Sequence, residues 1–181
     1  MNPILVRKIN HLTDARYFAA MGVDWISMEL GSDPASFMRW HTLKDWVAGV
    51  KLAAEIDMND EMVLAKTIID ARPDGIFVEK DSSGDLLSEL EIFYQVNSTD
   101  EIIPGNEAKL ILPYSDMTPV ESLLNIPSDK IFLEAIWTVD MLTDLRMNGY
   151  VGGICFMGGD EDITGVRDYG VIDEMMEILG H

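Results

Sequence analysis

The feature that most constrains this chain is a repeating unit, a short apolar run followed by an amphipathic stretch. A first strand over residues 4–6 runs on into Lys8-Ile9-Asn10, and a helical stretch follows over 14–21, stopped by Gly22. Strands two, three and four fall at 25–28, 50–54 and 75–78, with helices at 40–47 and 60–71 between them. The second half repeats the unit: strands at 92–96, 110–112, 131–133 and 153–156, then helices at 139–147 and 172–179. Strands that alternate with helices call for parallel pairing, and runs this apolar fit burial on both faces. Eight such units predict a compact α/β chain, a (β/α)8 TIM barrel, although 181 residues is short for that fold. The shortening is expected between strands five and six, where Pro104 and Gly105 break what would be a helix. An open doubly wound sheet is the alternative, but no glycine-rich dinucleotide loop follows the first strand.

Nothing divides the chain: no charged tail, low-complexity tract or Gly/Ser linker, so residues 1–181 read as a single barrel domain. The formal charge of −19 repels phosphate backbones and anionic lipid heads, which argues against nucleic acid and membranes as partners. No apolar run approaches the roughly 20 residues that cross a bilayer, and the N-terminus lacks a signal-peptide pattern. The lone Cys155 lies in a core-like strand, as expected of a reducing compartment, so a cytoplasmic location is expected. No metal-ligand spacing, P-loop or catalytic-triad signature is present, so neither a cofactor nor a metal is expected.

Two stretches resemble a known family. Lys8-Ile9-Asn10-His11-Leu12-Thr13-Asp14-Ala15, followed by Gly22-Val23-Asp24, is similar to the opening of the phosphoribosylanthranilate isomerases. Their first strand ends in Lys-Ile-Cys-Gly-Leu-Thr. At the other end, Gly158-Gly159 and Thr164-Gly165-Val166-Arg167-Asp168 resemble that family's last phosphate loop and the element after it. The resemblance implies an Amadori rearrangement of a phosphorylated aminoaldose in tryptophan synthesis, driven by a cysteine base and an aspartate acid.

Carried over by position, the cysteine falls on Asn10 and the aspartate on Pro113, and neither side chain ionises near neutral pH to act as base or acid. Glu79, His11 and Asp116 are the candidates to replace them. The phosphate loops are implied at Gly158 and Gly159 and after strand seven, where Glu134-Ala135-Ile136 stands in place of small residues. An anion ~4 Å from the Glu134 carboxylate is repelled by about 1 kcal/mol in water and several-fold more when partly buried. Arg39 is the nearest counterpart of the arginine that meets the substrate's carboxylate.

Strand ends form the functional face of a barrel. There the sequence places Asn10, Glu29, Glu55 with Asp57, Glu79, Gln95 and Glu134. Glu29, Glu55 and Glu134 are expected, with Gly158 and Gly159, to line a small-molecule site. Converging carboxylates bind a hard cation or an amine, or raise one another's pKa; otherwise they face solvent or pair with a lysine. Three readings follow. The first is a divergent isomerase-like barrel that binds a small molecule without the ordinary reaction. The second is an active isomerase with a replaced acid and base. The third is a non-catalytic scaffold or regulatory homodimer.

Overall fold

The computed structural model describes residues 1–181 apart from 32, 57–60, 79–89, 102–106, 116–117, 119, 125 and 159–168. Eight parallel strands close on themselves in sequence order, β1 (Ile4–Arg7), β2 (Trp25–Glu29), β3 (Lys51–Glu55), β4 (Gly75–Phe77), β5 (Glu91–Gln95), β6 (Lys109–Pro113), β7 (Ile131–Glu134) and β8 (Gly153–Met157). The described helices are α1 (Leu12–Ala20), α2 (Pro34–Trp46), α3 (Glu61–Ala71), α4 (Val120–Leu123), α5 (Val139–Met147) and α6 (Gly170–Leu179). The compaction is real and wider than expected. Between β5 and β6 the described residues contain only a 3-10 turn at Thr99–Glu101, and between β6 and β7 the helix α4 is a single turn.

Two boundaries differ from the sequence reading by more than two residues. Helix α2 starts well before residue 40, because Pro34 occupies its first turn and the Asp33 side chain caps it by accepting from the Ser36 N–H at 3.0 Å. Its buried stripe is only Ser36, Trp40 and Leu43, too thin to announce the first two turns by hydrophobicity. Strand β1 ends at Arg7 rather than running to Asn10. Lys8 adopts a left-handed φ of 55°, which turns the chain out of the sheet.

Alternation along the strands separates two cores. Ile4, Val6, Ile26 and Ile154 face outward onto the helices, while Leu5, Trp25, Ala53, Phe77, Phe93, Ile111, Phe132 and Cys155 fill the barrel. The inside is aromatic: Phe93 stacks on Phe77 at 4.8 Å and meets Trp25 edge-on at 5.0 Å. Glycine makes room for these rings. A Cβ on Gly153 would lie 2.5 Å from the Phe132 ring.

The opposite, N-terminal end of the barrel is pinned by a repeated clamp. Asp24, just before β2, accepts from the Ile4 N–H at 2.8 Å and donates its own N–H to the Ile4 carbonyl at 3.0 Å. Asp74, just before β4, does the same to Leu52, at 2.8 Å for both bonds. The circle is tied shut on the outside by tyrosines. Tyr17 of α1 stacks on Tyr169 at 3.8 Å; Tyr17 donates to Asp173 of α6, and Tyr169 donates to Asp14 of α1.

Burial pushes the Tyr150 hydroxyl well above its ordinary value, and burial together with the bond to Asp173 does the same for Tyr17. An unfolded tyrosine ionises near 10, so above that pH the unfolded chain holds fewer protons than the folded one and stability falls as pH rises. Below it the contribution is present in full. Urea midpoints taken from about pH 9 to 11 should drop, with Tyr150 contributing up to ~1.4 kcal/mol per pH unit. Tyr150→Phe should flatten that slope. An unchanged slope would show that its hydroxyl ionises in the folded protein as it does in water.

Candidate functional site

Four side chains, one from each odd-numbered strand, meet inside the C-terminal end of the barrel: Arg7 of β1, Glu55 of β3, Gln95 of β5 and Glu134 of β7. This is the layer geometry of eight-stranded barrels, in which alternate strands contribute the four residues of a layer. Here the layer is ionic. Arg7 grips Glu55 with both arms of its fork, Nη2 to Oε2 at 2.5 Å and Nε to Oε1 at 3.2 Å. Its Nη1 reaches across the barrel to Glu134 at 2.7 Å and to the Gln95 amide oxygen at 3.4 Å. Ser27 of β2 also donates to Glu55. The guanidinium lies over the Phe77 ring, 4.6 Å from its centroid.

Arg7 and Glu55 are almost wholly buried, their side chains 7% and 9% exposed. Burial alone would weaken the Arg7 charge, but the hydrogen bond to Glu55 and the charges of Glu55 and Glu134 outweigh it and raise its pKa. Cys155 lies beside this layer, its Sγ 3.5 Å from Glu134 Oε2. Burial, and then the Glu134 charge, push the thiol well above its ordinary value, so it is no nucleophile.

Above the layer a cleft of about 780 Å³ opens among the ends of β1 to β5 and the start of α2. Lys8 and Glu29 pair across its rim at 3.0 Å, and Asp33 and Arg39 enter from α2. The Ser36 backbone N–H, aided by the Arg39 charge, holds the Asp33 carboxyl below its ordinary value.

The strand-end residues therefore separate into groups. Glu55 and Glu134 converge, and what they converge on is Arg7. Glu29 stands apart at the rim with Lys8. Asn10 is exposed beyond the turn at Lys8, and Pro113 is exposed at the last position of β6. His11 is half-buried at the N-cap of α1, where its side chain makes no capping bond. Gly158 sits against β1: a Cβ there would lie 2.8 Å from the carbonyl oxygens of both Arg7 and Lys8, and its N–H donates to Arg7 at 2.6 Å. Close backbone approach thus requires a glycine at 158 whatever the loop binds. Asp57, Glu79, Asp116 and Gly159 lie outside the described residues.

The residue that sequence reasoning missed is Arg7. Its signal was parity: it shares a face with Leu5, two positions earlier in a strand of four buried residues. A cation at an interior position needs a partner, and acids at other strand ends were the available ones.

No known family model and no curated protein sequence matches the chain. Solved structures do. TrpF from Jonesia denitrificans superposes with a TM-score of 0.74 at 13% identity, covering 99% of this chain and 97% of that one. A phosphoribosylanthranilate isomerase in complex with reduced 1-(o-carboxyphenylamino)-1-deoxyribulose 5-phosphate gives 0.76 at 11% identity, covering 99% and 98%. The fold is that of the phosphoribosylanthranilate isomerases. Thiamine phosphate pyrophosphorylase from Pyrococcus furiosus gives 0.66 at 13% identity, covering 98% and 95%, so the architecture is shared by proteins of different names. Likeness at these identities carries the barrel and leaves the reaction to the site. Among the described residues no helix is long and apolar enough to cross a membrane, and no group of His, Cys, Asp and Glu could hold a metal.

Proposed function

We propose that this chain is a single-domain, divergent isomerase-like barrel of the cytoplasm that binds a small molecule in the cleft at its C-terminal face and does not perform the ordinary Amadori rearrangement. The observation that carries the reading is the Arg7 layer. A barrel isomerase needs a group that takes a proton and another that gives one. Asn10 and Pro113, at the two positions that the resemblance implies, carry no group that ionises near neutral pH, and Glu55 and Glu134 are both engaged with Arg7. A carboxylate that grips a guanidinium inside the barrel has its oxygens occupied and is not presented to a substrate. The cleft above stays open to a ligand, with Arg39 in position to meet a carboxylate.

The test is turnover of phosphoribosylanthranilate by the purified chain, followed by the loss of its fluorescence. A rate equal to the uncatalysed background is expected. Turnover that Glu79→Gln abolishes would overturn the reading in favour of an active isomerase with a replaced base. Light scattering tests the alternative of a non-catalytic homodimer: a clean monomer at high concentration counts against it.

A further inference from the structure

We propose that the cleft's ligand is a zwitterion, a small molecule carrying both a carboxylate and an ammonium group; this rests on the C-terminal face being the binding face. The case begins with a contrast. Across the chain acids outnumber bases 32 to 13, yet the described lining of the cleft holds three of each: Arg7, Lys8 and Arg39 against Glu29, Asp33 and Glu55. A site for a sugar phosphate carrying two or three negative charges would concentrate cations without matching acids. Here Arg7 is paired with Glu55 and Lys8 with Glu29, and Arg39 acts on Asp33 through its charge.

The two ion pairs, and the Asp33 and Arg39 charges beside them, differ in what a ligand can do with them. Arg7 and Glu55 form the floor and are buried, so opening them would strand charges away from water. Lys8 and Glu29 are 41% and 59% exposed, and Asp33 and Arg39 are exposed too. Exposed pairs contribute little and exchange readily for other partners. A ligand with both charges can insert between them, offering its carboxylate to Lys8 or Arg39 and its ammonium to Glu29 or Asp33. It restores each lost contact and leaves the cleft's net charge unchanged. A lone anion would leave Glu29 unpaired beside it and face Asp33 and Glu55 as well, and a lone cation meets the mirror-image penalty.

Amide chemical-shift titration of the full chain separates these cases with probes matched in length: 6-aminohexanoate, hexanoate and hexylamine, with ribose 5-phosphate as the multiply charged anion. 6-Aminohexanoate should shift the resonances of Lys8, Glu29, Gly31 and Arg39 and bind about three- to tenfold more tightly than either singly charged probe. Arg39→Gln and Glu29→Gln should each reduce that preference to within about twofold, since each removes one of the opposite charges offered to the ligand. Tighter binding of hexanoate or ribose 5-phosphate in the cleft would overturn the zwitterion while leaving a C-terminal-face site intact. No shift at the cleft with any probe would overturn both.

Discussion

Replacing Arg7 with Met should destabilise the folded chain by about 3–5 kcal/mol, read as a lowered urea midpoint at unchanged slope. The loss does not come from the pair's own net attraction. Bringing two carboxylates and a guanidinium out of water costs several kcal/mol per ion, and the short bonds among Arg7, Glu55 and Glu134 roughly repay it. Without the guanidinium, Glu55 stays buried with Ser27 and no cation, and Glu134 stays beside Cys155. The same logic sets the control. Arg7→Met combined with Glu55→Leu and Glu134→Leu removes all three charges and should recover most of the loss, or exceed wild-type stability by about 1–4 kcal/mol. Salt should change little, because the layer is shielded from solvent ions. A single variant that costs under ~1 kcal/mol would mean that water reaches Glu55 and that the layer is open.

The strand order was readable because each strand is apolar on both faces and a turn residue closes each unit. Gly22, Gly49 and Pro73 punctuate the first half clearly, and β2, β3 and β4 start within one residue of their expected places. Local signals of this kind do not carry partnership. Glu55 lies 48 residues from Arg7 in sequence and Glu134 lies 127, so nothing near any of the three announces the layer. Only closure of the barrel sets their strands at the same height. The end of β1 was misplaced for a similar reason. Lys8-Ile9-Asn10 has a strand-like composition, but Ile9 is buried by donating its N–H to the Ser27 carbonyl after the left-handed turn at Lys8. That turn depends on β2 being alongside. The acids at the strand ends were recognised as a set, whereas their division into a buried pair and a rim residue depends on which strands alternate inward.

Trp40→Ala should cost about 3–5 kcal/mol, the range for emptying a large aromatic site in a packed core. The Trp40 ring is fully buried, and its Nε1–H donates to the Ala71 carbonyl at 2.9 Å, joining the middle of α2 to the last residue of α3. Lys44, one turn further on, donates to the same carbonyl at 3.4 Å, so α2 is fastened at two points along one face. Trp40→Phe separates the ring from its hydrogen bond. It fills most of the volume and leaves the Ala71 carbonyl without its indole partner, so a loss of about 1–2 kcal/mol is expected. The consequence reaches the cleft, because the helix that Trp40 anchors also presents Asp33, Ser36 and Arg39. Loosening the anchor should weaken ligand binding through α2 while the Arg7 layer, built wholly on strands, keeps its geometry. Amide shifts should therefore move at residues 33–39 in Trp40→Phe and stay put at Arg7, Glu55 and Glu134. Equal movement at both places would mean that α2 and the ionic layer form one cooperative unit, and that the floor of the cleft is not independent of its wall.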